Sequence, residues 1–264
     1  MDISIWVIFI SVVLILLTLD LGVFHKNNRE IGLKESLWMS SFYIFIALIF
    51  GVWIWYIKGL DSFAEYITGF LVEKSLALDN IFLISLIFSS LSIPLKYQHR
   101  VLFWGILGVI VLRAIMIGLG AHIITKFEWI LYIFAAFMIF TGIKMFFISH
   151  QPVDISKNPL LIWMRKHLNI TEKLHDQRFY IYQLDPKSKT KKLFVTPLFI
   201  SLIMVEFIDL VFAVDSIPAI FAITQDAYII YTSNIFAILG LRALYFALAS
   251  IINQFYYLKY ALAI

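Results

Sequence analysis

An all-α, polytopic transmembrane helical bundle with two inverted three-helix repeats is the fold class that three observations predict. The 264 residues are 62% hydrophobic and 14% charged, against about 45–50% apolar and about 25% charged in an ordinary soluble domain; the mean hydropathy is +0.91. Seven apolar stretches are long enough to read as helices crossing a hydrocarbon core about 30 Å thick, which takes roughly 20 residues. Two acidic pairs of one spacing, Glu73 with Asp79 and Asp209 with Asp215, sit inside separate apolar stretches.

The first stretch, 3–24, has only Asp2 before it and lacks a basic n-region and a small-x-small cleavage pattern, so it reads as a retained helix and not a removable signal peptide. With 38–57 it makes an N-terminal pair of helices in residues 1–60. The stretches 66–90, 101–124 and 129–148 form a first three-helix repeat, 61–148. Residues 149–193 form a polar, basic linker, with an amphipathic helix expected at 159–169. The stretches 194–223 and 228–251 open a second repeat, 194–264, whose third helix starts near 255 and is truncated. Seven full spans and a partial eighth result.

Loop charge orients these spans. Lys26, Arg29, Lys34, Lys96, Arg100 and the nine basic residues of 149–193 fall on one side, against Lys58 and Lys126 on the other. The positive-inside rule makes the first side cytoplasmic and places the N-terminus outside. The 149–193 linker reads as a solvated loop carrying the orienting charge. The chain has no cysteine, which removes disulfides and thiolate metal ligands. No basic stripe with interleaved aromatics lies outside the spans, so nucleic acid is not an expected partner; the lipid bilayer is.

The repeat is supported by order as well as by spacing. Aligning Asp79-Asn80-Ile81 with Asp215-Ser216-Ile217 brings Glu73 opposite Asp209. The following helices share Ile106-Leu107-Gly108 with Ile238-Leu239-Gly240, and Arg113-Ala114 with Arg242-Ala243, given a three-residue gap. Three helices per unit is an odd number, so the second unit enters the membrane from the opposite side, as in many secondary transporters.

A carboxylate at the centre of a lone span costs on the order of 2.5–3.5 kcal/mol on insertion scales, so intramembrane acids usually face a partner or a wet cavity. Glu73, Asp79, Glu206, Asp209 and Asp215 are five such groups. Glu206 and Asp209 share a helix face at i, i+3. A six-residue spacing in a regular helix turns the second group about 240° from the first, so Asp209 and Asp215 meet one ligand only if the helix unwinds. Pro218, which removes a donor and clashes one turn back with the carbonyl of residue 214, supplies a reason; a matching break is expected between Glu73 and Asp79. With Asn80, Ser216 and freed carbonyls, the acids make an all-oxygen set suited to Mn²⁺, Mg²⁺ or Ca²⁺ as transported substrate. Lys74, Arg113 and Arg242 are the charge-pairing candidates, and purely structural ion pairs with them are the competing reading. His99 and His122 read as interfacial residues without a ligand role, and Asp20 as solvated.

The segments "EKSLALDNIF" (73–82), "YQHRVLFWGILG" (97–108), "VEFIDLVFAVDSIPAIFAIT" (205–224) and "TSNIFAILGLRALYF" (232–246) resemble the signatures of the TerC family of bacterial integral membrane proteins, over nearly the whole chain. That family is named for tellurium resistance and includes manganese exporters. The resemblance implies a bacterial inner-membrane secondary transporter exporting a divalent cation, Mn²⁺ favoured and Ca²⁺ possible, without a resident cofactor, the acids lining the transport site. Family members continue through helix 8 and generally one further span, and this sequence departs from them by stopping about halfway through helix 8: either the C-terminus is missing or the product is natively truncated. A membrane scaffold of a metal- or tellurite-stress complex is the alternative. An intramembrane protease is disfavoured, because neither G-x-G-D nor H-E-x-x-H occurs; no enzymatic activity is expected.

Overall fold

The structure is a computed structural model and describes residues 3–20, 32–127, 129–147, 155, 158–171, 173–184 and 190–254. The element order is α1 (Ile3–Leu19), α2 (Leu33–Lys58), α3 (Leu60–Ser90), α4 (Leu95–Lys126), α5 (Ile130–Phe147), α6 (Pro159–His167), β1 (Tyr180–Leu184), β2 (Lys191–Val195), α7 (Pro197–Phe221), α8 (Ala227–Leu239) and α9 (Leu241–Gln254).

Among the described residues, four stretches are long and apolar enough to cross a membrane: α2, α4, α7 and the run Ala227–Ala249 through α8 and α9. Apolar side chains fill the outward faces, with Phe45, Val52, Val111, Leu119, Phe140 and Val211 all exposed. The interior instead holds Glu73, Asn80, Arg113, Asp209, Asn234 and Arg242. A bundle oily outside and charged inside suits a hydrocarbon solvent, where each buried polar group needs an internal partner and each outward apolar group needs none. Helix α3, with 31 residues, is about 46 Å long at roughly 1.5 Å per residue. Its Asp61, Glu65, Glu73, Lys74 and Asp79 make it the most charged of the long helices. Helix α1 is shorter, at 17 residues.

Packing is set by the central helices. α3 lies along α8 and α7, α4 along α7 and α8, and α2 along α9. Small side chains allow the closest approach: a Cβ on Gly69 of α3 would stand 2.9 Å from the Ser233 hydroxyl of α8. Aromatic rings of α1, α2, α3 and α8 interlock around Phe50, whose ring lies 4.7 Å from Phe236 and 5.9 Å from Phe9 and from Tyr66.

Three details depart from the sequence reading. Neither acidic helix is broken where expected: α3 runs unbroken through 73–79 and α7 through Pro218. The interruption falls at Gly240, between α8 and α9, so the expected span 228–251 is two helices. The polar linker is also structured. Asn158 caps α6 by accepting from the Leu160 amide at 2.9 Å, Pro159 begins the helix, and Leu161 and Met164 bury its inner side, as the expected amphipathic helix requires. Strands β1 and β2, which were not expected, pair antiparallel with Ile181 opposite Phe194. The eighth helix, placed from 255 onward, lies outside the described residues.

Candidate functional site

The middles of α3, α4 and α7 carry Glu73, Arg113 and Asp209, and packing brings all three together. Arg113 is 1% exposed. Its Nη1 lies 2.7 Å from Glu73 Oε1, its Nη2 donates to Asp209 Oδ1 at 3.1 Å, and its Nε donates to Asp209 Oδ2 at 3.3 Å. This two-pronged grip on a carboxylate suits the planar guanidinium fork. Nη1 also donates to Asn234 Oδ1 at 2.8 Å and, more loosely, to Ser216 Oγ at 3.4 Å. Asn234 closes the ring by donating Nδ2 to Glu73 Oε2 at 3.0 Å. Glu73 and Asp209, equivalent in the repeat alignment, are therefore joined through one arginine. By formal charge the three groups sum to one negative unit.

Two further oxygens face this cluster. The Glu206 carboxylate lies on the Asp209 side of α7 against α4 at Gly108, where an added Cβ would meet Oε1 at 2.2 Å. Only glycine leaves that space, and Glu206 Oε2 is buried there without a hydrogen-bond partner among the described residues. Asn80 is 4% exposed, and its Oδ1 is likewise buried and, among the described residues, unpartnered. Asn80, Asp209, Arg242 and Tyr245 line a small cavity of ≈ 30 Å³ with otherwise apolar walls, room for about one water or a small cation.

The other candidates are placed as follows. Lys74 donates to the Ala237 carbonyl at 3.2 Å and lies against Gly240, where a Cβ would stand 2.7 Å from its Nζ. The ammonium thus sits over the C-terminal end of α8, where cations are favoured, and among the described residues makes no carboxylate contact. Arg242 pairs with Asp20. Asp20, expected to be solvated, is 3% exposed; the buried guanidinium holds it in the bundle. Ser216 joins the Arg113 cluster. Asp215 is exposed, on the side of α7 turned away from Arg113, because the unbroken helix keeps the full rotation between positions 209 and 215. The side chain of Asp79 lies outside the described residues. Among the described residues no three His, Asp or Glu side chains form a ready metal-binding group; the acids converge on a guanidinium.

Asn234 was not among the expected site residues. Its one signal is the lone amide of a helix without charged residues, fully buried at 0% exposure beside Thr232 and Ser233.

A family model described as "Integral membrane protein TerC family" matches residues 58–264. An "Uncharacterized membrane protein" of Rickettsia bellii (strain RML369-C) is 56% identical, covering 98% of this chain and 84% of the relative. "Uncharacterized membrane protein STKORF319" of Myxococcus xanthus is 43% identical over 98% of this chain and 80% of the relative. The Alx protein of Escherichia coli (strain K12), which carries the name of a candidate membrane-bound redox modulator, is 43% identical over 98% of this chain and 82% of its own length. No solved structure matches. With matched residues that include the whole Glu73–Arg113–Asp209 cluster, this chain belongs to the TerC family of multi-pass integral membrane proteins.

Proposed function

We propose that this chain is a bacterial inner-membrane secondary transporter exporting a divalent cation, Mn²⁺ before Ca²⁺, by alternating access of two inverted repeats across seven or more spans. The observation that carries this reading is the meeting of Glu73 and Asp209 on Arg113, beside oxygens of Glu206 and Asn80 that have no partner among the described residues. The repeat reading gains support from two equivalent glycines. Gly108 of the first repeat takes a charged side chain from the second, Glu206, and Gly240 of the second takes Lys74 from the first.

In this mechanism Arg113 is the internal counter-cation. It neutralises Glu73 and Asp209 while no substrate is held, because unpaired carboxylates in the bundle would be strongly unfavourable. A divalent cation arriving at Glu206 and Asn80 competes for the Asp209 carboxylate. Arg113 then keeps Glu73 and Asn234 as partners while the substrate takes Asp209, Glu206 and the Asn80 carbonyl oxygen. These hard oxygens suit Mn²⁺, Mg²⁺ and Ca²⁺ alike. An oxyanion such as tellurite would face an excess of acids.

The saturated hydrogen bonding of Arg113 favours one competing reading, a scaffold whose intramembrane charges are structural. Mn²⁺ titration of the purified full-length chain, followed by the electron-spin resonance of free Mn²⁺, separates the two. The transport reading expects saturable binding that Glu206→Gln weakens about tenfold or more, equal to about 1.4 kcal/mol. Gly108→Ala is expected to act in the same direction with little effect on folding, since the atoms it displaces are the free end of Glu206. Binding absent from folded wild type, or unaltered by both substitutions, favours the scaffold.

A further inference from the structure

The buried cluster needs a route to solvent, and a second cavity supplies one. At the end of the bundle that carries α6 and the hairpin, an open cleft of ≈ 540 Å³ lies between the last turns of α3, the first turn of α4 and α9. Ser85, Ser89 and Ser92 line it, together with Gln98. Neutral hydroxyl and amide oxygens of this kind hold a hydrated cation weakly. Among the described residues, Tyr245 is the one that lines both this cleft and the inner cavity of Asn80, Asp209 and Arg242.

Tyr245 is 2% exposed and sits edge-on to Phe88 at 5.7 Å and to Phe246 at 5.3 Å. Its hydroxyl donates to Gln98 Oε1 at 2.6 Å, and Gln98 Nε2 in turn donates to the Ile93 carbonyl in the α3–α4 turn at 2.8 Å. The tyrosine rides on α9, one turn beyond Arg242 and just after the interruption at Gly240. Helices interrupted in mid-membrane line the substrate paths of many secondary transporters, and a half-helix freed at one end can tilt without unwinding its neighbour.

We propose that Tyr245, latched to Gln98, is the gate between a serine-lined antechamber for hydrated divalent cations and the buried acidic site. The proposal rests on the cation-transport reading and deepens it. Opening breaks the hydroxyl–amide bond and swings the ring away from Phe88, which joins the two cavities. Closing restores both contacts and seals the inner site from that face.

The absence of native cysteine allows a test that does not depend on transport. Single cysteines are placed at Ser89, in the cleft, and at Ile84, in the inner cavity, of the full chain. Each is exposed to a charged, membrane-impermeant thiol reagent in vesicles of both orientations. Ser89→Cys should react rapidly from the α6 face whatever residue occupies 245. Ile84→Cys should react slowly with the latch intact, and roughly tenfold or more faster when Tyr245→Phe or Gln98→Ala raises the open fraction from a minor population. Tyr245→Phe keeps the ring contacts, and Gln98→Ala removes the latch from the other side, so the two should agree. Should Ile84→Cys fail to fold, Ile208→Cys samples the same cavity. Equal Ile84→Cys rates in all three backgrounds, or faster reaction from the opposite face, would overturn the gate. Wild-type vesicles that label as expected but move no Mn²⁺ would overturn the transport reading and leave the gate standing.

Discussion

Replacing Arg113 by methionine is expected to be among the most destabilising single changes in this protein. The substitution keeps much of the volume but leaves Glu73 and Asp209 buried without their shared cation. Removing one partner of a buried pair typically costs about 3–5 kcal/mol, because the remaining charge is left uncompensated. The expected result is a large drop in thermal stability of the detergent-solubilised protein, read by loss of its monodisperse elution peak on heating. Adding Glu73→Gln and Asp209→Asn to Arg113→Met should restore much of that stability, since the groups are directly coupled. The triple variant should nevertheless bind no Mn²⁺. Stability regained with binding still lost separates the structural role of the arginine from the substrate role of the acids; a triple variant no more stable than Arg113→Met contradicts the pairing account.

Gly69→Leu is expected to give the second large effect. The α3–α8 contact is tight enough that even a Cβ at residue 69 would lie 2.9 Å from the Ser233 hydroxyl and 3.4 Å from its Cβ. Helix association inside membranes depends on small residues that let backbones approach, and overpacking a well-packed interior costs about 1–3 kcal/mol. A leucine must push α3 away from α8, and the same displacement pulls Glu73 off Asn234, one turn further along the face. Stability and Mn²⁺ binding should therefore fall together, whereas Gly118→Leu, at a glycine with nothing within 4 Å of an added Cβ, should leave both close to wild type. Equal effects at the two positions would contradict the packing argument.

Much of the site was legible because hydrocarbon makes charge conspicuous. Glu73, Asp209 and Arg113 stand out in apolar helices, and the shared spacing of the acidic pairs pointed to corresponding positions before any contact was visible. The amphipathic pattern of α6 was equally plain. Other features carry no such signal. Pro218 marked a break that α7 does not make: an intramembrane proline is tolerated where its surroundings satisfy the freed backbone groups, and the regular turn then carries Asp215 away from Asp209. The interruption at Gly240 is tied to a long-range contact, Lys74 reaching from α3, which local propensity does not encode. Asp20 looked solvated because it lies near a helix end, and only the tertiary fold brings Arg242 to it. Asn234 is a single amide whose importance comes from touching both Glu73 and Arg113. The hairpin of β1 and β2 was hidden in a segment dominated by charge.

The most direct test of the central claim is uptake of radioactive Mn²⁺ by inside-out membrane vesicles containing the full-length chain, its Glu73→Gln variant or its Asp209→Asn variant, with and without a pH gradient. The account predicts uptake by wild type that falls to the vesicle background in both variants while each remains inserted and folded. Uptake undiminished in the folded variants, or none by folded wild type, would contradict it.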